Sequence, residues 1–479
     1  MNAARKSNLK RSTKISPLAA ALCLSACAPD LGPAPELQAP QTLATEKSFT
    51  NPKGEWPTEK WWLAYGDAEL NRLEDEACQG SPDLKIAEAR LREAQAAERK
   101  AGADLVPNFS FDGASQSSKQ SLNQGFPNSI QSSLPHGWHT NTRLAGSLTY
   151  EIDLYGKNRA AYAAATSEEK ASEVDVEEAR LVLSTSVAGA YANLVRLAAD
   201  KVAAEYAVHI REHSAALFAE RESQGLENRG ATAEAQANTD SARADEDVID
   251  GEIDAARNEI AALLGRGPDR GLEVPLPDAK AVRPLGLPAR LAADLIGRRP
   301  DLVAARLRAE AAADRIKVAH ADFYPNIDLN GLVGFQSIDI GSVFMHGSLI
   351  GAIGPALHLP IFDGGRIEGN YRGARGSYDE AVASYDKTLV TSLKDVADAM
   401  AAERELERER GHSRAALKEI DAAYKTAKAR YEGGLARYLD VLAAENTLVL
   451  ERRRVADLDA SELAQDVVLI RALGGGYHS

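Results

Sequence analysis

Two stretches of this chain switch abruptly from a helical spacing of apolar residues to strict alternation. Residues 82–105 carry a helix-like, Ala- and Arg-rich pattern, with Ser81 placed to cap it and Pro82 suited to its first turn. From Asn108 the period becomes two: Phe109, Phe111 and Gly113 fall on one side, Ser110, Asp112 and Ala114 on the other. A polar loop, 116–142, holds Pro127 and Pro135. Alternation then resumes, with Leu144, Gly146, Leu148, Tyr150 and Ile152 against Arg143, Ala145, Ser147, Thr149, Glu151 and Asp153. Two alternating runs of about ten residues joined by a long polar loop form a hairpin of transmembrane-barrel length. Taken alone, the pattern fits a half-exposed soluble hairpin equally well.

From Asn158 to about Gln224 the chain has no Pro and almost no Gly. A helix of that length would reach on the order of 100 Å. Leu181, Val187, Tyr191, Leu194 and Leu197 keep a spacing of three to four, which predicts coiled-coil packing rather than a membrane span. A turn at Gly225–Gly230 leads to a helix over 231–264, stopped by Gly265, Gly267 and Pro268.

The whole pattern then returns. Pro82-Asp83-Leu84 reappears as Pro300-Asp301-Leu302, and Asp104, Pro107, Asn108 and Gly113 as Asp322, Pro325, Asn326 and Gly331, all at an offset of 218 (300 − 82; 331 − 113) without a gap. A fixed offset over such a stretch marks two copies of one supersecondary unit. The second copy predicts a helix from Asp301 to His320. Alternation follows through Ile327, Leu329, Gly331, Val333 and Phe335, and the returning strand presents Ile353, Leu357, Leu359 and Ile361 on one face. A Pro-free helix from Gly365 to Tyr431, a turn at Gly433-Gly434 and a last helix over Leu439–Leu473 complete it.

The domain reading is therefore a first repeat at 81–265, a linker at 266–298 and a second repeat at 299–479. In each repeat the two shorter helices, stacked end to end, nearly match the long one and can run antiparallel beside it. One chain supplies four strands, too few to close a barrel. Unpaired backbone groups cost several kcal/mol each in lipid, so strands that span must belong to an oligomer.

The net charge of −14 and pI near 5.3 argue against nucleic-acid binding, which needs a basic stripe. The N-terminus carries Lys6, Lys10, Arg11 and Lys14 before a short apolar run, Ile15–Leu24, suited to a signal sequence and too short to cross a bilayer. Residues 1–26 are read as a signal peptide. Leu24-Ser25-Ala26-Cys27 resembles a bacterial lipobox, which makes Cys27 the lipidated first residue of the mature chain. Ala28, rather than Asp, at the second position favours the outer membrane. Cys78 is then the one remaining partner-free cysteine, and no intrachain disulfide is available. Residues 27–80 form a lipidated leader and packing segment, with Pro29, Pro33, Pro35, Pro40 and Pro52, and with Trp56, Trp61, Trp62 and Tyr65 packing it against the body.

Catalytic patterns are thin. His209-Ile210-Arg211-Glu212-His213 matches the H-x-x-E-H of inverted zinc peptidases, but a catalytic zinc needs a third ligand and a walled cavity. On an Ala-rich helix flanked by charge, we read both His as solvated. Gly364-Gly365, after a strand and before a helix, lacks either phosphate-loop pattern and is read as a strand-to-helix bend. No Ser-His-Asp or Cys-His arrangement has a usable context, so neither catalytic nor metal-ligating residues are assigned. At the second helix turn, Tyr431, Gly433, Gly434, Arg437 and Asp440 lie close in sequence.

The double repeat, the lipobox at Cys27 and the helix-to-strand steps at Pro107-Asn108 and Pro325-Asn326 form one part of a longer pattern. Arg299-Pro300-Asp301-Leu302, Pro360-Ile361-Phe362-Asp363-Gly364-Gly365, and Tyr431-x-x-Gly434 leading to Leu439-Asp440-Val441-Leu442 complete it. Together they resemble the TolC-like outer-membrane efflux proteins, and within them the NodT/OprM-like lipoprotein branch serving resistance-nodulation-division drug pumps. The resemblance implies a mainly helical protein with membrane β-structure. Its homotrimer shares a twelve-stranded β-barrel, four strands per chain, above a long antiparallel α-helical barrel. It implies a passive exit duct for drugs or other small molecules, with a periplasmic adaptor (membrane fusion) protein and an inner-membrane resistance-nodulation-division transporter as partners. No cofactor is implied beyond the lipid on Cys27. Type I secretion or metal efflux through the same architecture, or a barrel-less periplasmic coiled-coil adaptor lipoprotein, are the alternatives. The resemblance also implies a periplasmic gate: Asp440 falls on an acidic ring position and Tyr431 on a tying tyrosine. Arg437 lies one place past the arginine of some members. Ala443 replaces a second ring acid, and Ala231 or Thr232 stands where some members carry Asp.

Overall fold

The computed structural model describes residues 28–45, 49, 56–121, 127, 129, 133, 136–277 and 297–478. Cys27, the signal-like segment and most of the 266–298 linker lie outside the described residues.

Where the chain alternates, it forms strands. β1 (Asn108–Lys119), β2 (Trp138–Glu151), β3 (Asn326–Ser337) and β4 (Leu349–His358) make one antiparallel sheet in the order β1-β2-β3-β4. The two hairpins join through β2 and β3, which leaves the outer edges of β1 and β4 without a partner strand among the described residues.

The register sorts the side chains. Phe109, Leu148, Gly331 and Ile353 share a row; so do Phe111, Gly146, Val333 and Gly351, and then Gly113, Leu144, Phe335 and Leu349. Glycine recurs in these rows for lack of room: a Cβ on Gly146 would stand 2.9 Å from the Phe109 ring. The next row on this face is Ser115, Thr142 and Ser337, with Ser115 and Thr142 hydroxyls 3.0 Å apart. The apolar band therefore ends in hydroxyls on the side of the hairpin loops. The opposite face carries Asn108, Thr149 and Asn330 in one row and Glu151 beside Asp328 in another. Phe111 is 69 % exposed and Ile353 77 %, with Phe109, Val333, Leu349 and Leu357 similarly bare. Burying each would be worth ~1.5–3 kcal/mol, so roughly 10 kcal/mol is unrealised if this face meets water. That magnitude decides against a soluble hairpin and for a lipid-facing one.

β1 and β2 run further than their sequence pattern predicts: residues 116–119 and 138–142, read as polar loop, belong to the ladder, where hydroxyl pairs such as Ser117 and Thr140 at 3.0 Å replace apolar contacts. β4 ends sooner than its pattern predicts. Leu359 and Ile361 lie beyond His358, because Pro360 has no N–H to extend the ladder.

The helices are α1 (Ala68–Gly80), α2 (Pro82–Ala103), α3 (Lys157–Ser223), α4 (Arg229–Leu263), the short α5 (Pro268–Leu272), α6 (Pro300–Ala321), α7 (Arg366–Glu432) and α8 (Tyr438–Leu473). α3 contains a window apolar and long enough to cross a membrane, but 67 % of it is buried in protein. Its apolar residues serve side-by-side packing, as their three-to-four spacing predicts.

The chain divides into two compact units, neither of which is a sequence repeat. The first takes the described parts of Met1–Glu36, Glu93–Glu169 and Leu307–Ala383; the second takes those of Leu37–Arg92, Lys170–Arg306 and Ser384–Ser479. The first holds the sheet and its junctions to the helices. Pro107 stands one residue before β1 and Pro325 one before β3. Tyr155 and Tyr324 stack at 4.6 Å, and Lys157 pairs with Asp322 at 2.7 Å. Asp153 accepts from the N–H of Arg159 at 3.0 Å at the start of α3, and Asp363 from the N–H of Ile367 at 2.6 Å at the start of α7. Before α7, Gly364 and Gly365 adopt φ of 68° and 87°, a conformation that side-chain-bearing residues rarely take.

The second unit is packed helix on helix. Trp61, Leu70 and Leu73 meet Leu194, Leu197, Ile260 and Leu264 in its largest apolar cluster. Trp56 packs on a second cluster built on Leu302, Leu389 and Val396, with the Arg298 guanidinium 4.8 Å above its ring. The leader aromatics thus tie the leader to the helices.

Candidate functional site: the paired helix turns

Each long helix ends in the same backbone device. At the end of α3, Gly225 takes φ 72°, its N–H bonds the Glu222 carbonyl, and Leu226 N–H reaches back to Arg221. At the end of α7, Gly434 takes φ 72°, its N–H bonds Tyr431, and Leu435 N–H reaches back to Arg430. This pairing satisfies the last carbonyls and requires a left-handed residue, which explains a glycine at both places. Leu226 and Leu435 are left on the surface at equivalent positions.

A buried aromatic cluster holds the turns together. Phe218, from α3, is 1 % exposed and lies 5.6 Å from the Tyr431 ring and 3.8 Å from that of Tyr438. Val441, Leu448, Ala231 and Tyr424 are among its other members. The Arg221 guanidinium sits 4.7 Å over the Tyr431 ring, and the Tyr431 hydroxyl donates to Glu227 at 3.4 Å. Burial, reinforced by Glu227 and opposed by Arg221, raises the pKa of that hydroxyl. Burial and the nearby Glu445 and Glu234 push Tyr438 up to about 12.

Of the residues singled out in the sequence, Arg437 and Asp440 come together, and Tyr431 meets Arg221 and Glu227. The Asp440 carboxylate accepts from the Arg437 backbone N–H at 3.0 Å, while the two side chains approach only to 3.9 Å. Asp440 therefore caps the start of α8. Arg437 has its side chain 83 % exposed, and the arginine that meets Tyr431 is Arg221. Ala443 leaves no second carboxylate there. Ala231 is buried, and the Thr232 hydroxyl is buried without a hydrogen-bond partner. Phe218, Arg221, Glu227, Tyr438 and Glu445 escaped the sequence reading. An alignment of the two turns on Gly225-Leu226 and Gly434-Leu435, an offset of 209, is the signal that finds this region.

The H-x-x-E-H residues form no site here. Glu212 is held by Arg243 of α4 at 2.7 Å, and both histidines are exposed. Among the described residues no group of three or more His, Cys, Asp or Glu is arranged to hold a metal.

The outer membrane efflux protein family model matches residues 73–266 and 291–475. The solved structure of the outer membrane protein VceC from Vibrio cholerae superposes with a TM-score of 0.82 at 39 % identity, covering 88 % of this chain and 100 % of that one. The multidrug resistance outer membrane protein MdtP of Escherichia coli (strain K12) is 27 % identical over 436 residues, 88 % of each chain. The cation efflux system protein CusC of Escherichia coli O157:H7 is 27 % identical over 472 residues, 97 % of this chain and 99 % of that one.

Proposed function

The chain belongs to the outer membrane efflux protein family, and from that membership we infer that it is the passive exit duct of a tripartite efflux pump. It is an outer-membrane efflux channel, and its function is transport. The observation that carries the fuller reading is the sheet: four antiparallel strands, one face apolar throughout a lipid-deep band, and both edges unpaired among the described residues. Open edges are intolerable in lipid, and three copies joined β4 to β1 remove them all in a twelve-stranded barrel. A homotrimer is the assembly we propose. A periplasmic adaptor and an inner-membrane resistance-nodulation-division transporter are its partners, with the bare Leu226 and Leu435 on the helix turns as adaptor contacts. Energy comes from the transporter, and catalysis forms no part of this function.

A lipid on Cys27 suits the path of the leader. The Pro33 carbonyl accepts from Arg375, and the Pro35 carbonyl accepts from Tyr378 at 3.0 Å, so this part lies along α7. Cys27 is six residues before Pro33, a reach of at most ~20 Å, and Arg375 is nine residues into α7, ~13 Å from its start beside β4. The anchor is therefore within reach of the membrane strands.

Drugs or other small molecules are the proposed cargo. Metal ions are the second reading, favoured by near full-length similarity to a cation efflux protein. Asp440 as a gate remains our proposal: three carboxylates converging on a pore axis repel one another and attract cations. Detergent extraction of the outer-membrane fraction, with heated against unheated gel mobility and light scattering, tests the duct. A trimer is expected. A monomer released with the periplasmic fraction would overturn it.

A further inference from the structure

Below the turns one carboxyl is buried between the two helix pairs. Glu445 of α8 is 1 % exposed. Its Oε2 accepts a hydrogen bond from the Ser214 hydroxyl of α3 at 2.7 Å. Its neighbour Asn446 accepts from Arg211 of α3 at 3.3 Å, and Arg211 also donates to the Asn238 carbonyl of α4 at 2.9 Å. One polar bracket thus joins α3 and α4 of the first repeat to α8 of the second. The charged and titratable groups around the carboxyl are Arg211 from α3, Lys428 and Tyr424 from α7, and Tyr438 from α8, with Glu234 of α4 facing Tyr438. The counterpart in the first repeat, by the 209 offset of the turns, is Gln236. It is exposed and donates to Asp240 of its own helix. Among the described residues the bracket has no twin in the other copy.

We propose that the Ser214–Glu445 contact is a latch for the closed channel, with Glu445 a positioning residue that keeps the two helix pairs together beneath the gate. The contact is the one place in this polar bracket where a fully buried acid depends on the other helix pair for a hydrogen bond. When the pairs part, the carboxyl loses its donor and meets water. Closing again requires the carboxyl oxygen and the serine hydroxyl to meet in one geometry, so closure is a two-state event rather than a graded one. The aromatic cluster above supplies area without direction. The latch supplies direction, because one oxygen finds one hydroxyl. This inference rests on the reading that the channel closes at these turns.

The test uses the full-length protein in planar bilayers, comparing wild type with S214A, E445A, E445Q, D440A and the S214A/E445A double variant. Unheated gels establish assembly for each. S214A and E445A are each expected to shift the ratio of open to closed dwell time by ~2–10-fold, the change that one lost hydrogen bond produces. The double variant should open no further than either alone. E445Q, which retains an acceptor for Ser214, should recover most of the closure. S214A removes a single oxygen from a different helix, so it decides the matter even if E445A does not assemble. Wild-type dwell times in S214A, additive effects in the double variant, or E445Q as open as E445A would each overturn the latch. If D440A opens the channel while S214A does not, the gate stands and the latch falls. If both leave it closed, the gate reading itself has failed.

Discussion

The two helix turns share a backbone and differ in how they are held. Both end in a left-handed glycine, both send a leucine N–H back five residues, and both leave that leucine bare. The first starts its next helix with Asn228, whose side chain accepts from Ala231 N–H at 3.1 Å. The second has Arg437 in that place, which has no acceptor to offer, and Asp440 bonds backward to the Arg437 N–H instead. One repeat caps from the front and the other from behind. The acidic residue assigned to the gate therefore already has a local duty, and loss of it will act on the helix start as well as on the pore. The comparison teaches that a duplicated backbone preserves what the chain geometry requires and frees the side chains to diverge.

The comparison is most severely tested at Phe218, which touches aromatic residues on both sides of the second turn. Phe218→Ala should cost ~3–5 kcal/mol. In thermal unfolding of the detergent-solubilised protein, it should loosen both turns together in hydrogen exchange. Loosening confined to the first turn would show that the cluster does not couple them. The next effect concerns pH. Burial, against the pull of Ser214, Arg211 and Lys428, raises the Glu445 carboxyl above its ordinary 4.5. The folded protein then keeps a proton that the unfolded chain has released, so stability falls as pH rises from 4.5 towards the raised value, by at most ~1.4 kcal/mol per pH unit. Glu445→Gln should flatten that slope, while Gln236→Glu, exposed in the other copy, should not create one. Melting curves across this range decide.

Gly225→Ala and Gly434→Ala should then each cost ~1–2 kcal/mol, equally, since both backbones need the left-handed region. Unequal losses would show that the turns are not the same device. Asn228→Ala should cost ~1 kcal/mol through its lost cap. Arg437→Ala should cost only a few tenths of that, because the Asp440 bond goes to the backbone, which alanine keeps. Equal losses at these two would refute the front-and-behind distinction.

The elements themselves were readable from the chain. Alternation from Asn108 and from Asn326 could serve only a strand, and the Pro-free stretches after Asn158 and Gly365 could serve only helices, so the strand starts and the helix limits fall within a residue or two. The first hairpin runs on to Lys119 and resumes at Trp138, inside the stretch 116–142 read as loop, because polar side chains there carry no apolar period. α1 lies within the leader, where no helix was predicted. Leu359 and Ile361 were misplaced because the period runs on past Pro360, where the hydrogen-bond ladder cannot. At the gate, the helix turn was legible through Gly433 and Gly434, but the company of its residues was not. Arg437 lies near Tyr431 in sequence and meets solvent, whereas Arg221 lies 210 positions away and covers the ring.

Periodicity, proline and glycine act over a few residues, and they set the strands, the helices, the turns and the apolar face of the sheet within the chain alone. The repeat went further, announcing four strands and hence open edges. Which strand lies beside which, the pairing of β2 with β3, the mixing of both repeats in each compact unit, and the meeting of Ser214 with Glu445 across 231 positions were decided by tertiary packing. The reason is physical. A local rule specifies which face of an element is apolar, but a hydrogen bond or a ring contact needs a particular atom within about 3–5 Å, and only the packed chain brings distant atoms that close.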